Sequence, residues 1–150
     1  MLAAALIAFG HFLAFFALTA ALVLELALIT ESVSVETAKR IQRADRVAGL
    51  AASLVLVFGL ARVFYFEKGS AYYFSNTWFL VKLGLFVAAA LISIYPTVQF
   101  LRWRSDLSQG IAPGLDSAAV MRLKRAIHWE LVLIAGILLC ASLMAKGFGS

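Results

Sequence analysis

The sequence predicts an all-α fold, a transmembrane four-helix bundle that forms a single domain over residues 1–150. Two observations support this prediction. The mean hydropathy is +0.95, and 63% of the residues are hydrophobic while only 14% are charged, which is typical of a membrane protein. Apolar stretches near 2–29, 47–66, 78–98 and 127–145 each approach or exceed the roughly 20 residues that a helix needs to cross a bilayer.

The first two spans differ in how they begin. The first stretch lacks a basic leading segment and is longer than the apolar part of a secretory signal, so we expect it to be a helix of the mature protein. Before the second span, Ser34 or Ser32 can cap a helix that begins near Val35, and neither Pro nor Gly interrupts residues 36–48. We therefore expect the second helix to begin in the cytoplasm and to continue into the membrane.

The third and fourth spans carry similar local signals. Pro96 lies near the inner end of the third span, where it predicts a kink. The breaker-rich stretch 110–114 ends the connection that follows, and Asp116 can then cap the fourth helix. This helix, like the second, is expected to extend into the cytoplasm before its apolar part begins.

The basic residues predict the orientation of the bundle. The pI of 9.7 does not indicate nucleic-acid binding, because the charges cluster beside membrane spans rather than on a soluble face. The first and third connections hold nine Lys and Arg residues, whereas the second connection has only Lys68 and the C-terminus only Lys146. The positive-inside rule therefore places both termini outside. The nine are Lys39, Arg40, Arg43, Arg46, Arg102, Arg104, Arg122, Lys124 and Arg125.

Three basic-type side chains are expected at one depth in the outer half of the membrane. Lys82 follows Trp78 by four residues, about 6 Å at 1.5 Å per residue, and Arg62 lies a similar distance inside Tyr65. His11 follows about ten residues of the first helix and can reach the same layer. The three side chains come from three different helices.

Two interpretations fit this outer layer. The spans contain no acid at this depth, and Glu67, in the following loop, can pair with only one cation, so a buried anion-binding site would offset the cost of the charges. Alternatively, each cation extends to the headgroups and needs no pocket. The aromatic loop 63–79 is likewise either an interfacial belt or a lid. The candidate ligand-binding residues are His11, Arg62, Lys82, Tyr65 and Trp78.

A second polar layer is expected near the inner ends of the helices, with Glu25, Arg46, His128 and Glu130. His11 and Glu25 share one face of the first helix at 100° per residue. Glu25 can pair with Arg46 or His128, which predicts a salt-bridge network at the helix ends. The alternative is a proton path from Glu25 toward His11.

The two histidines bear on haem binding. His11 and His128 belong to different layers, which disfavours joint ligation of one haem iron. Ligation by His11 alone remains open, with Arg62 and Lys82 placed to pair with propionates. A hydrogen-bonded structural histidine is the other interpretation.

A weak internal repeat is present. "RIQRA" at 40–44 and "RLKRA" at 122–126 share three identities, and sliding the first span onto the third without gaps places His11 opposite Lys82. Duplicated helical hairpins are typical of transporters.

Three stretches carry a family resemblance: "HFLAFFALTAALVLE", "LARVFYFEKGSAYYFSNTWFLVKLGLF" and "SIYPTVQFLRW". With them the chain resembles, over almost its whole length, a bacterial four-span membrane family, domain of unknown function 2214. A histidine in the first helix, His11, and a lysine soon after a tryptophan in the third, Lys82 after Trp78, also resemble the haem-binding four-span membrane protoporphyrinogen oxidases and related copper-resistance modules. This second resemblance implies a tetrapyrrole site with His11 as metal ligand.

The sequence thus favours a multi-pass protein of the bacterial inner membrane that binds an anionic, largely flat molecule, such as haem or another tetrapyrrole, with a redox role. One alternative is a non-catalytic accessory or lipid-binding subunit of a larger membrane complex, in which the helix faces contact partner helices or a second copy. Another is a small transporter. The expected surroundings are lipid, with no nucleic-acid partner.

Overall fold

The computed structural model describes residues 1–67 and 69–149, so Lys68 and Ser150 lie outside the described residues. Four long helices are each long and apolar enough to cross a membrane, which confirms the predicted four-span all-α fold. Placing both termini outside stays a prediction. In chain order the helices are α1 (Leu2–Leu28), α2 (Val35–Ala61), α3 (Ser70–Ser75), α4 (Thr77–Arg102), α5 (Arg104–Ser108) and α6 (Ser117–Ala145).

Side-chain caps start the long helices α2 and α6. The Ser34 hydroxyl accepts a hydrogen bond from the Thr37 amide at 3.1 Å, and the Asp116 carboxylate accepts one from the Ala119 amide at 2.6 Å. Each cap satisfies an amide that has no partner within its helix. Both predicted caps are confirmed, and both helices begin well before their apolar segments. Helix α4 continues through Pro96 to Arg102.

A π-helical turn, Arg62–Phe66, continues α2 at its C-terminal end. The Glu67 amide donates to the Arg62 carbonyl at 3.0 Å, which is the i to i+5 spacing of this wider turn. Such single turns are frequent at functional sites. The turn brings the side chain of Glu67 back alongside that of Arg62.

The bundle consists of two hairpins, because α1 packs mainly against α2 and α4 mainly against α6. We call the end that carries the nine basic residues the basic end, and the end with the 63–79 loop the aromatic end. The most tightly buried large apolar side chains cluster toward the basic end: Ile29, Ile41, Phe100, Leu123 and Ile127, each at most 1% exposed. The repeat-related Ile41 and Leu123 are both in this group. Toward the aromatic end the helices leave a cavity between them.

Candidate functional site

The aromatic end contains a cavity of about 530 Å³ that is lined by residues of all four long helices. This volume lies within the range of small-molecule sites, about 300–1,000 Å³. The structure brings His11, Arg62 and Lys82 to this one cavity, which we call the outer cavity. Phe15 and Phe86, each four residues after His11 and Lys82 respectively, also line it. Most of its remaining wall is aliphatic or aromatic.

Arg62 is paired within the cavity wall. Its Nε lies 2.7 Å from Glu67 Oε1, its terminal nitrogen donates to the same oxygen, and the guanidinium stands 5.5 Å from the centre of the Phe12 ring. The Tyr73 hydroxyl donates to Glu67 Oε2. Glu67 therefore joins an arginine and a tyrosine and neutralises the arginine's charge.

The ionisation of this trio follows from its contacts. Burial by itself would raise the pKa of Glu67, but the hydrogen bonds from Tyr73 and Arg62, together with the Arg62 charge, outweigh it and hold that pKa below its ordinary value. Burial, and then the hydrogen bond to Glu67, raise the pKa of the Tyr73 phenol. Glu67 is consequently a carboxylate, and Tyr73 a neutral donor, across the physiological pH range.

Lys82 has a different environment. Its Nζ lies 5.2 Å from the centre of the Phe79 ring, a cation–π contact. Within residues 1–67 and 69–149, neither of the two salt bridges involves Lys82. Among the described residues that line the outer cavity, the charged groups are two cations, Arg62 and Lys82, and one carboxylate, Glu67. The described wall carries a surplus of one positive charge.

His11 is held in one orientation. Its Nδ1 lies 3.1 Å from the Val55 carbonyl oxygen, and since a carbonyl can only accept, Nδ1 carries the proton. The imidazole packs on Gly59, where an added Cβ would lie 3.3 Å from its Cε1. In a neutral ring Nε2 would then be the unprotonated nitrogen, and in the described part of the chain no hydrogen bond to it is present.

The other two candidate ligand-binding residues lie elsewhere. Tyr65 is 82% exposed, and neither Tyr65 nor Trp78 lines the outer cavity. Tyr72 and Tyr73 of the same loop line it instead. The sequence showed that the loop is aromatic, but only the fold of α3 and of the π-helical turn selects which rings face inward.

The predicted salt-bridge network at the inner layer is wrong. Among the described residues Glu25 forms no ion pair; Arg46 donates to the Gln42 carbonyl at 3.3 Å, and His128 is exposed. The reason is helical rotation: His128 follows the buried Ile127 by one residue and precedes Glu130 by two, which turns it about 200° from Glu130.

A second, smaller cavity of about 90 Å³ takes the place of that network, and we call it the inner cavity. Glu25 and Glu130 line it, 1% and 3% exposed, together with Asp45, whose carboxylate accepts a 2.6 Å hydrogen bond from the Thr97 hydroxyl. Sequence reasoning missed Asp45. It lies four residues after the buried Ile41, a spacing that indicates the buried face of α2.

The described residues do not form a metal site built from several side chains. No group of three His, Cys, Asp or Glu residues there is arranged to hold a metal ion. His11 is therefore a single candidate ligand and not part of a cluster.

Four apolar membrane-length helices and polar groups gathered inside the bundle define a multi-pass integral membrane protein. The chain belongs to the family of predicted membrane proteins called domain of unknown function 2214, whose model matches residues 3–149. The family resemblance drawn from the sequence is thus confirmed. No curated protein and no solved structure matches the chain, so the likeness to haem-binding oxidases stays a prediction.

Proposed function

We propose that this membrane protein binds an amphipathic anion, a molecule with an apolar body and at least one carboxylate, in the outer cavity. The observation that carries the proposal is the surplus cation: Lys82 lies in a largely apolar cavity, and the one carboxylate among its described lining residues, Glu67, is already bonded to Arg62. A cation inside the membrane costs about 2.5–3.5 kcal/mol on insertion scales. An anionic ligand group beside Lys82 would offset that cost.

The shape of the cavity supports the same ligand class. Phe12, Phe15, Leu83 and Phe86 provide an apolar wall, which suits a hydrocarbon or flat aromatic body, while the charged groups lie at the aromatic end. A polar head would then lie near Lys82 and an apolar body deeper in the bundle. Small-molecule sites commonly combine a mostly apolar wall with a few placed polar groups.

A tetrapyrrole such as haem is the narrower form of this proposal, and the geometry of His11 favours it. Metal-binding histidines almost always donate their other ring N–H to a carbonyl or carboxylate, as His11 does to Val55. His11 would bind the haem iron through Nε2, and Lys82 would pair with a propionate. Haem, when bound, would supply one-electron redox chemistry; the chain's own residues would bind and orient it.

Native mass spectrometry and absorbance of the protein purified in lipid nanodiscs test both forms. An amphipathic carboxylate that co-purifies with wild type and is lost in Lys82→Met supports the general proposal. A Soret band that weakens in His11→Ala supports the tetrapyrrole form of the proposal. Colourless protein that binds a fatty acid would rule out the tetrapyrrole form and leave the general proposal standing.

Two further outcomes would overturn the proposal. If colourless, ligand-free protein co-purifies with other membrane subunits, the accessory-subunit interpretation is the better one. If cysteines placed beside Lys82 are labelled from both sides of the membrane, a transport pathway replaces a closed binding site.

A further inference from the structure

We propose that the inner cavity is a proton-binding site, in which Glu25 and Glu130 hold a proton each at neutral pH while Asp45 remains ionised. None of these three acids lines the outer cavity, and the inference does not depend on what the outer cavity binds.

Two unpartnered oxygens point to a bound ligand. Oε1 of Glu25 and Oε1 of Glu130 are both buried and have no hydrogen-bond partner within the described chain. Both side chains line the inner cavity and are at least nine-tenths buried. Natural proteins rarely leave such atoms without a partner, and each case calls for an explanation. A cavity of about 90 Å³ has room for water molecules that would join the carboxyl groups.

The charges that surround the cavity leave the two glutamates without a counter-ion. Helix α1 contributes Glu25, α2 contributes Asp45, α6 contributes Glu130, and α4 contributes the hydroxyls of Ser93 and Thr97. No Lys, Arg or His is among the residues described as lining it. Arg46, the basic residue next to Asp45 in sequence, hydrogen bonds to a backbone carbonyl of its own helix.

Burial decides which carboxyl groups are neutral. An isolated carboxylate in an apolar environment is so unfavourable that the group takes up a proton instead. Glu25 and Glu130 meet this condition. Asp45 is only half-buried, and its carboxylate accepts a hydrogen bond from the Thr97 hydroxyl, a contact that favours the ionised form. The arrangement that follows is two protonated glutamates beside one ionised aspartate.

A proton fits better than a metal ion as the occupant. Metal cations need several oxygen ligands at fixed short distances, and no group of three acids in the described chain has that arrangement. The site also adjoins the outer cavity, since Phe15, Val55, Phe86 and Ile137 line both. Buried carboxyl groups of this kind are the parts from which membrane proton relays are built.

Infrared spectroscopy of the full chain in nanodiscs tests the proposal, because a protonated carboxyl has a C=O stretch distinct from that of a carboxylate. We expect two such signals at neutral pH, each shifted in D₂O. Glu25→Gln should remove one, Glu130→Gln the other, and Asp45→Asn neither. Glu36→Gln is the matched control, because Glu36 is exposed and paired with Arg40 on the same surface of α2.

Three results would overturn the proposal. The first is wild-type protein with no protonated-carboxyl signal at neutral pH, a measurement that needs no variant to fold. The second is a pair of signals that persists in both glutamine variants. The third is thermal stability that rises with sodium over choline at constant ionic strength and loses this dependence in Glu25→Gln, which would assign the site to a metal cation.

Discussion

Replacing Lys82 with methionine is the most direct perturbation of the outer cavity, because it keeps most of the length of the side chain and removes its charge. Lys82 contributes the surplus positive charge of the cavity wall. A hydrogen bond to a charged group contributes about 1.5–3 kcal/mol net, and each 1.4 kcal/mol is a factor of ten in a binding constant. We therefore expect Lys82→Met to weaken binding of an amphipathic carboxylate by about 10-fold to about 150-fold.

Folding stability should respond in the other direction. The variant loses the cation–π contact with Phe79, worth about 0.5–1 kcal/mol near a surface, but it also loses a cation whose insertion costs about 2.5–3.5 kcal/mol. The second effect is larger, so the empty variant should melt at the same temperature as wild type or above it. Reduced binding would then not be explained by partial unfolding.

The assay is a titration of nanodisc-embedded protein with a long-chain fatty acid, its corresponding alcohol and haemin, followed by tryptophan fluorescence. Lys146→Met is the matched control, because Lys146 is exposed at the end of α6 and does not line the outer cavity. Wild type should prefer the acid over the alcohol, and Lys82→Met should lose that preference. Equal acid affinity in wild type and Lys82→Met would refute the reasoning.

Three more predictions concern the pH response, a helix cap and the histidine. The pKa of Glu67 is lowered on folding from its ordinary value of 4.5. The ionised carboxylate therefore stabilises the fold above about pH 4.5, and this stabilisation is lost as the pH falls through the folded pKa. The melting temperature of wild type should fall in acid for this reason, and that of Glu67→Gln should fall less. Asn76→Ala removes the buried cap of α4 and a 3.1 Å bond to the Phe148 carbonyl, which should cost about 1–3 kcal/mol in thermal unfolding; unchanged unfolding would argue against the cap. Gly59→Ala forces the His11 ring to shift by a few tenths of an ångström. This shift should reduce haem-type absorbance and change the free energy of unfolding by less than about 1 kcal/mol. An unaltered absorbance spectrum would contradict the prediction.

Much of the fold can be predicted because its signals are local. An apolar run that is long enough to cross the bilayer has few alternatives to a spanning helix. Every backbone N–H and C=O in lipid needs a hydrogen-bond partner, and a helix provides those partners within the segment. The caps at Ser34 and Asp116 depend on contacts within three residues. The partners of Glu25 depend on the rotation of four helices about their axes, and there the sequence-based prediction was wrong.

The sequence by itself determined the number of spans, the start of α2 and of α6, and the family, and it singled out His11, Arg62 and Lys82 as polar groups at one depth. Only the tertiary structure decided that these three line one cavity, that Glu67 turns back to pair with Arg62, and that Asp45 rather than Arg46 joins the inner acids. The physical reason is that lipid is as apolar as the bundle interior. Hydropathy therefore sets where a helix crosses the membrane, while packing against the other helices sets which of its faces turns inward.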